Sequence, residues 1–390
     1  MITKPKTRGG LLAISRFLKK NPGRSVIVAV PSDPTKQQWL VKLAEWGLLG
    51  DNIQVHTMYE TSKDKYVCDF LILDEIHRFG SPSLIKVFEN IKYSMILGLT
   101  ATFERLDGKD AIISKYCPIV DVISTDEAIK NKWLSSYREY EVLIEPSDIE
   151  EYRKVDKDFH NYFSFFDNDF KTAMECATDW KARTALAKEM CSGDYTRFKE
   201  INKDVTINAM GFNRTLQARK KYIYNHPRKV ELANMILENR KDKKCITFSA
   251  SVAMAESIGV GAVYSGKDSK KKGRITLHDF VEQDGGVLNT IMKLNDAFDC
   301  PDLSVAVILG INSSKTVKKQ RLGRIIRHQE GKEAEVFTLV LKGTVEETWY
   351  RNCTPEYSYI PISENSLMDV LTGKDIYPKI PKKVGFTLRW

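Results

Sequence analysis

The 390-residue chain is 42% apolar and 28% charged, and its 60 Lys and Arg against 51 Asp and Glu leave a net charge of +9. That excess favours a polyanionic partner, although a modestly basic soluble enzyme has the same balance. No apolar run approaches the ~20 residues of a membrane span, the basic N-terminus lacks a signal-peptide core, and the seven scattered cysteines form no CxxC pair, so a membrane protein, a zinc module and a disulfide scaffold are set aside.

In chain order, Leu11–Ile14 with Phe17 and Leu18 has helical spacing, closed by Asn21-Pro22-Gly23. Val26–Val30 reads as a buried strand and Gln38–Ala44 as a helix; Ile53–Val55 begins the next strand. Phe70–Leu73 is a third, ending in Asp74-Glu75-Ile76-His77. Pro82 to Ile91 predicts a helix, and Met95–Leu99 a strand running into Thr100-Ala101-Thr102. Strands alternating with helices predict a doubly wound parallel sheet, in which ligands bind at the carboxyl ends of the strands. Two adjacent carboxylates at such an end have no packing rationale. Phosphoryl transfer supplies one: the first acid holds Mg²⁺ and the second positions or activates water. On the tetrapeptide alone, a strand ending in solvated acids accounts for it equally well. Thr100 and Thr102 at a neighbouring strand end could bond those acids or relay nucleotide state; a plain turn is the simpler local reading.

A nucleotide-hydrolysing sheet also needs a glycine-rich loop ending in Lys-Ser/Thr. The candidate is Thr3-Lys4-Pro5-Lys6-Thr7, with Lys6 and Thr7 placed before a helix. The glycines and the strand that should feed the loop are missing, Pro5 removes a backbone donor, and for this stretch alone a basic N-terminal tail is the favoured reading.

From about Asp148 to Lys221 the text is charged, aromatic and helical, with Tyr152, Phe159, Tyr162, Phe163, Phe165, Phe166 and Phe170, then Trp180. Such aromatics could stack on bases of a single strand; the small core of a helical subdomain is favoured. Tyr140–Ile144 before it reads as an extended connector. Arg214, Arg219, Lys220 and Lys221 form either a solvated basic face or a phosphate contact. The α/β pattern then resumes, with strands at Cys245–Phe248, Ala262–Tyr264, Val287–Ile291 and Val305–Leu309. In Gln320-Arg321-Leu322-Gly323-Arg324-Ile325-Ile326-Arg327, helical spacing puts 320, 323/324 and 327 on one face. Two guanidiniums there suit a triphosphate, and Gly323 would permit close approach; an ordinary basic helix is the alternative. Asp299, before Cys300-Pro301, could offer an acid to a ribose or simply lie in a loop.

As an ordered set, Asp74-Glu75-Ile76-His77, Gly98-Leu99-Thr100-Ala101-Thr102, the segment around Asp299 and Gln320 to Arg327 resemble the motifs of superfamily 2 helicases of the DEAD/DEAH type. Leu97–Gly108 and Pro31–Trp39 are similar to the XPB/UvsW-like and type III restriction-subunit branch, and the resemblance spans about residues 6 to 350. It implies an α/β protein of two tandem RecA-like parallel-sheet domains of the P-loop NTPase type: domain 1 over 1–135, a connector and helical insertion over 136–225, domain 2 over 226–350, and a C-terminal extension over 351–390. It also implies ATP and Mg²⁺ as cofactors. Asp74 and Thr7 would hold the metal, Lys6 the phosphates, and Glu75 would be the catalytic base. His77, Thr100 and Thr102 would couple nucleotide to nucleic acid. Gln320 would sense the γ-phosphate, Arg324 and Arg327 would be arginine fingers, and Asp299 would belong to the nucleotide-side motif V. The departures are the lost Walker A glycines, Phe103 where proline is common, and Asn295-Asp296-Ala297 where an Asn-Glu-Gly-like sequence is usual.

The expected activity is ATP-dependent translocation or unwinding of nucleic acid, DNA in single-stranded or branched form, in replication, recombination or repair. The resemblance implies a cytoplasmic, phage-type protein, with replication, recombination or nuclease proteins as partners. Two other readings stand beside it: a non-hydrolysing nucleic-acid-binding module, if the incomplete Walker A reflects degeneration rather than truncation, and the motor subunit of a restriction system.

Overall fold

Five consecutive apolar residues, Val26–Val30, form β1, buried along its whole length. It follows helix α1 (Pro5–Lys20) and leads to α2 (Asp33–Glu45), which starts after extended Ser32 with a proline in its first turn. β2 (Ile53–Thr57), β3 (Phe70–Asp74) and β4 (Met95–Leu99) complete a four-stranded sheet in the order β2-β1-β3-β4, all parallel, with Val28 opposite Ile72 and Leu73 opposite Gly98. The doubly wound arrangement buries both faces, as the run Phe70-Leu71-Ile72-Leu73 requires. One face packs Leu11, Ile14, Trp39 and Leu43 against Val28 and Ile72; the other packs Ile27 and Leu71 against Phe79, Val87 and Ile113. These coordinates are a computed structural model and describe residues 5–101, 103, 108–265, 270–291, 300–354 and 358–374.

A second sheet has seven strands: β5 (Ser136–Ile144), β6 (Lys244–Ser249), β7 (Ala262–Tyr264), β8 (Gly286–Ile291), β9 (Leu303–Ile308), β10 (Glu333–Leu341) and β11 (Ile360–Ser363), in the order β11-β5-β10-β9-β6-β8-β7. Its core joins Val142 and Ile144 with Val305, Val307, Phe337, Leu339 and helix α7 (Pro227–Glu238). Between β5 and α7 lie α3 (Ile149–Ser164), α4 (Phe170–Thr178), α5 (Trp180–Met190) and the 28-residue α6 (Phe198–Asn225). Phe159, Phe166 and Phe212 form their small core. Arg219 is buried there too, paired with Asp156 at 2.8 Å and lying 4.0 Å over the Phe159 ring, so its cation is spent inside the subdomain.

Two local expectations need correction. Only Val87–Asn90 of the stretch 82–91 is α-helical, because residues 82–86 close as turns. Tyr140–Ile144 is not a connector but part of a strand, and β11, from the stretch after 350, pairs with it in parallel.

By contacts the described residues divide into two units. One holds 5–137 with 300–304 and 314–334; the other holds 138–291, 305–313 and 335–374. Among the described residues no helix is long and apolar enough to cross a membrane.

Candidate active site

The site grows from the carboxyl end of β3. Asp74 is its last residue and is buried. At Glu75 the backbone turns sharply, with φ 54° and ψ 50°, a left-handed conformation that costs a non-glycine residue roughly 1 kcal/mol or more. The chain then makes a turn of 3-10 helix over Ile76–Gly80. The turn is fixed by packing: Ile76 fills the space left by Gly98 on the adjacent strand, where a Cβ would lie 2.4 Å from Ile76 Cδ1. The kink thus holds two acids side by side yet differently oriented.

Asp74 is clamped. The indole Nε1 of Trp39 donates to its Oδ2 at 3.0 Å, and the Glu75 backbone N–H donates to its Oδ1 at 3.1 Å. Trp39 comes from α2, and its ring fits because Gly10 of α1 has no side chain: a Cβ there would sit 2.6 Å from the ring edge. Sequence reasoning placed Trp39 in a helix but missed this bond; an indole whose N–H must find a partner when buried was the available signal.

Glu75 meets a lysine and a histidine. Its Oε1 accepts from Lys6 Nζ, and its Oε2 lies 3.4 Å from His77 Nδ1, which also contacts Thr100 Oγ1 at 2.9 Å. Four residues singled out in the sequence, Lys6, Glu75, His77 and Thr100, therefore form one connected chain of contacts. Lys6 and Thr7 both stand in the first turn of the 16-residue helix α1, whose partial positive end favours anions. Thr102 and Asp299 lie outside the described residues.

The donor set fits a nucleotide with a hard divalent cation. Mg²⁺ takes one or two protein oxygens and completes its shell with water and phosphate, which Asp74 and the Thr7 hydroxyl can serve. Among the described residues no cluster of three His, Cys, Asp or Glu forms a self-sufficient metal cage.

The basic stretch is built differently from its helical pattern. Helix α8 (Lys315–Ile325) starts at Ser314, whose side chain caps Val317 N, and carries Gln320 and Arg324, both half-buried. It stops before Arg327. Ile326 leaves helical geometry, and Arg327 pairs in an antiparallel bridge with Leu134. The shared helical face expected for 320, 324 and 327 is thus broken at 327. Burial lowers the Arg327 guanidinium to about 10. Gly323 faces open space, since a Cβ there would meet no atom within 4 Å. The buried cations of this helix are Lys318 and Arg321, neither of which the sequence pattern distinguished.

The family model described as "Type III restriction enzyme, res subunit" matches residues 48–105, the stretch containing β2, β3, β4 and Asp74 to Thr100. The DNA 3'-5' translocase XPB2 of Sulfurisphaera tokodaii is 24% identical over 352 residues, covering 83% of this chain and 73% of that protein. Together these matches support a superfamily 2 helicase of the XPB and type III restriction-subunit kind. The helicase domain of Pyrococcus furiosus Hef has a TM-score of 0.54 at 15% identity, over 89% of this chain and 92% of that one. Saccharomyces cerevisiae Dbp5, solved with RNA and ADP BeF3, has a TM-score of 0.55 at 13% identity, over 94% and 85%. These likenesses carry the fold: two RecA-like α/β domains. The matches support the ATP-hydrolysing type of helicase, a class that uses nucleotide and binds nucleic acid.

Proposed function

We propose that the helicase couples hydrolysis of Mg·ATP to movement along DNA, single-stranded or branched. The observation that carries this reading is the contact of Lys6 Nζ with Glu75 Oε1, which brings the phosphate-binding lysine and a positive helix end to the acid pair. ATP with its Mg²⁺ supplies a phosphoanhydride bond whose cleavage releases the driving free energy. Lys6 leaves Glu75 for phosphate oxygens, an exchange between two anions that keeps its charge paired throughout. Asp74, oriented by Trp39, and Thr7 would hold the cation. Glu75, once freed, accepts a proton from the attacking water. His77 and Thr100, already in contact, report the protonation and position of Glu75 toward the nucleic acid. Gln320, Arg324 and Arg327 face the developing phosphate charge, and Thr102 and Asp299 belong to the same machinery. The excess of basic residues suits a phosphate backbone. The compartment is the cytoplasm, with replication, recombination or nuclease proteins as associates.

The test is ATP turnover by the 390-residue chain with and without single-stranded and forked DNA, beside Glu75→Gln. DNA-stimulated turnover that falls by two orders of magnitude or more in the variant supports the motor. Full turnover in Glu75→Gln removes Glu75 from its role. Salt-sensitive DNA binding with no turnover and no response to ATP moves the reading to a non-hydrolysing module. Pro5, which cannot donate a backbone N–H beside Lys6, is the feature that favours that second outcome.

A further inference from the structure

The Arg327 carbonyl is held by two side chains that no helicase motif of the sequence contains. Ser135 Oγ lies 3.0 Å from it and Lys332 Nζ 3.1 Å. Each does more than touch it. The Ser135 hydroxyl also accepts from Gln329 N at 3.1 Å, and the Ser135 backbone N–H donates to Ile326 O at 2.9 Å. Ser135 Oγ lies 3.4 Å from Gln329 O as well, but one hydroxyl proton serves one acceptor, and the nearer is Arg327 O. Lys332 Nζ donates in addition to Pro301 O at 2.7 Å. With the isolated Leu134–Arg327 bridge, the segment from Ile326 to Gln329 is held by Leu134 and Ser135, which precede β5, and by Lys332.

This is an unusual amount of anchoring for four residues just past a helix end. A helix C-terminus leaves carbonyls without intrahelical partners, and the last turn frays unless something binds them. Here the anchoring converges on the residue whose guanidinium the motif assigns to the nucleotide. Ser135 is 4% exposed, so its hydroxyl serves this segment and not solvent.

We propose that Ser135 and Lys332 are positioning residues, which set the placement of the Arg327 guanidinium by fixing its backbone. The inference rests on the functional reading above, in which Arg327 meets the charge that develops on the transferred phosphate. A side chain reaching a transition state must start from a backbone held within a fraction of an ångström, and loss of one anchor is felt in the chemical step more than in binding of the ground state.

The experiment compares Ser135→Ala, Ser135→Thr, Lys332→Gln, Lys332→Arg and Arg327→Ala in the full chain. Three readouts are used: hydrogen exchange of the 326–332 segment, ATPase kcat and KM, and the ratio of affinities for ADP and for ADP with beryllium fluoride. Ser135→Ala is expected to speed exchange in that segment and to lower kcat, each roughly tenfold, with KM for ATP within twofold. It is also expected to reduce the preference for the beryllium fluoride complex. Lys332→Gln follows the same pattern, and Ser135→Thr and Lys332→Arg recover most of the loss. Unchanged exchange in Ser135→Ala overturns the latch. Faster exchange with kcat and the affinity ratio unchanged overturns the positioning role, leaving a purely structural bond. If Arg327→Ala itself keeps full turnover and the full affinity ratio, or if the wild-type chain binds neither nucleotide, the functional reading fails and takes the positioning role with it, whatever the exchange data show.

Discussion

Trp39 and Asp74 are joined by a 3.0 Å hydrogen bond across two elements, the indole N–H of α2 aimed at the carboxylate that ends β3. If Asp74 holds Mg²⁺ as proposed, its carboxylate must keep one oxygen oriented while its charge is partly desolvated, and a buried indole does this without adding a competing positive charge. Trp39→Phe keeps the ring and deletes the donor. The variant is expected to remain folded and to lose roughly 1–2 kcal/mol of stability, read from urea midpoints. The Mg²⁺ concentration for half-maximal ATPase should rise several-fold, while the KM for nucleotide at saturating Mg²⁺ changes little. Equal Mg²⁺ dependence in variant and wild type would remove Trp39 from the metal side of the site. Trp39→Ala, which also empties a fully buried volume, should cost about 3–5 kcal/mol.

The Gly98–Ile76 contact tests whether packing sets the kink at Glu75. Gly98→Ala places a methyl 2.4 Å from Ile76 Cδ1, with Ile76 Cγ2 at 3.1 Å and Cys117 Sγ at 3.2 Å behind it. Overpacking of this kind costs about 1–3 kcal/mol. Ile76 lies between Glu75 and His77, so the displacement should also reach turnover. Adding Ile76→Val removes the nearest clashing atom and should restore at least half of both losses. A double variant no better than the single one would show that the strain is absorbed elsewhere.

A separate prediction concerns Lys229 and Glu346, both wholly buried, with Nζ 2.6 and 2.8 Å from the two carboxylate oxygens. Leu309 O accepts from the same ammonium, and Leu341 N donates to the carboxylate at 3.0 Å, so both charges are hydrogen-bonded as well as paired. Removing either partner strands the other in an apolar core. Lys229→Met or Glu346→Leu should each cost about 3–5 kcal/mol, whereas the double variant should lie within about 2 kcal/mol of wild type. The measurement is a double-mutant cycle by denaturant unfolding. Additive single losses would show that the two charges do not act as a pair.

What could be read from the sequence followed from local rules. Phe70–Leu73 is short, apolar and followed by two acids, so a buried strand delivering Asp74 and Glu75 to a sheet end was legible without any long-range information. That Thr100 lies at the neighbouring strand end was legible as well, but local rules pointed its hydroxyl at the acids, whereas the structure brings it to His77. What stayed hidden depends on partners far along the chain. β5 reads as a connector because Arg138, Glu139 and Glu141 interrupt its apolar pattern. Glu139 and Glu141 are nonetheless buried, and Tyr350 donates to Glu139 at 2.9 Å from a distant helix. Arg327 fits the helical period of α8, yet the helix ends where Leu134 competes for its backbone. Periodicity describes what a helix would present, not where tertiary hydrogen bonds stop it.

Lys332 makes the anchoring of Arg327 sensitive to pH in a direction that can be worked out. Burial lowers the Lys332 ammonium from 10.5 to about 8; the groups that face it are Cys300 and Asp302, which pull upward, and the Arg327 guanidinium, which pushes further down. Between those two values the unfolded chain binds the proton and the folded chain does not. The unfolded state then holds more protons, so the Lys332 contribution to stability rises with pH across about 8 to 10.5 and is flat below about 8. Relative to Lys332→Met, which cannot titrate, the wild type should therefore gain stability as the buffer is raised from pH 7.5 to 10. The comparison is the difference in urea midpoint between the two proteins at each pH, which cancels the titration of groups they share. The anchoring bonds respond in the opposite sense: a neutral amine is a weaker donor to Arg327 O than an ammonium. Exchange of the 326–332 segment should accordingly quicken above about pH 8, after correction for the intrinsic pH dependence, in wild type and not in Lys332→Met. A midpoint difference that shrinks with pH, or segment exchange that is identical in the two proteins, would show that the Lys332 ammonium is solvated and bears no load at Arg327.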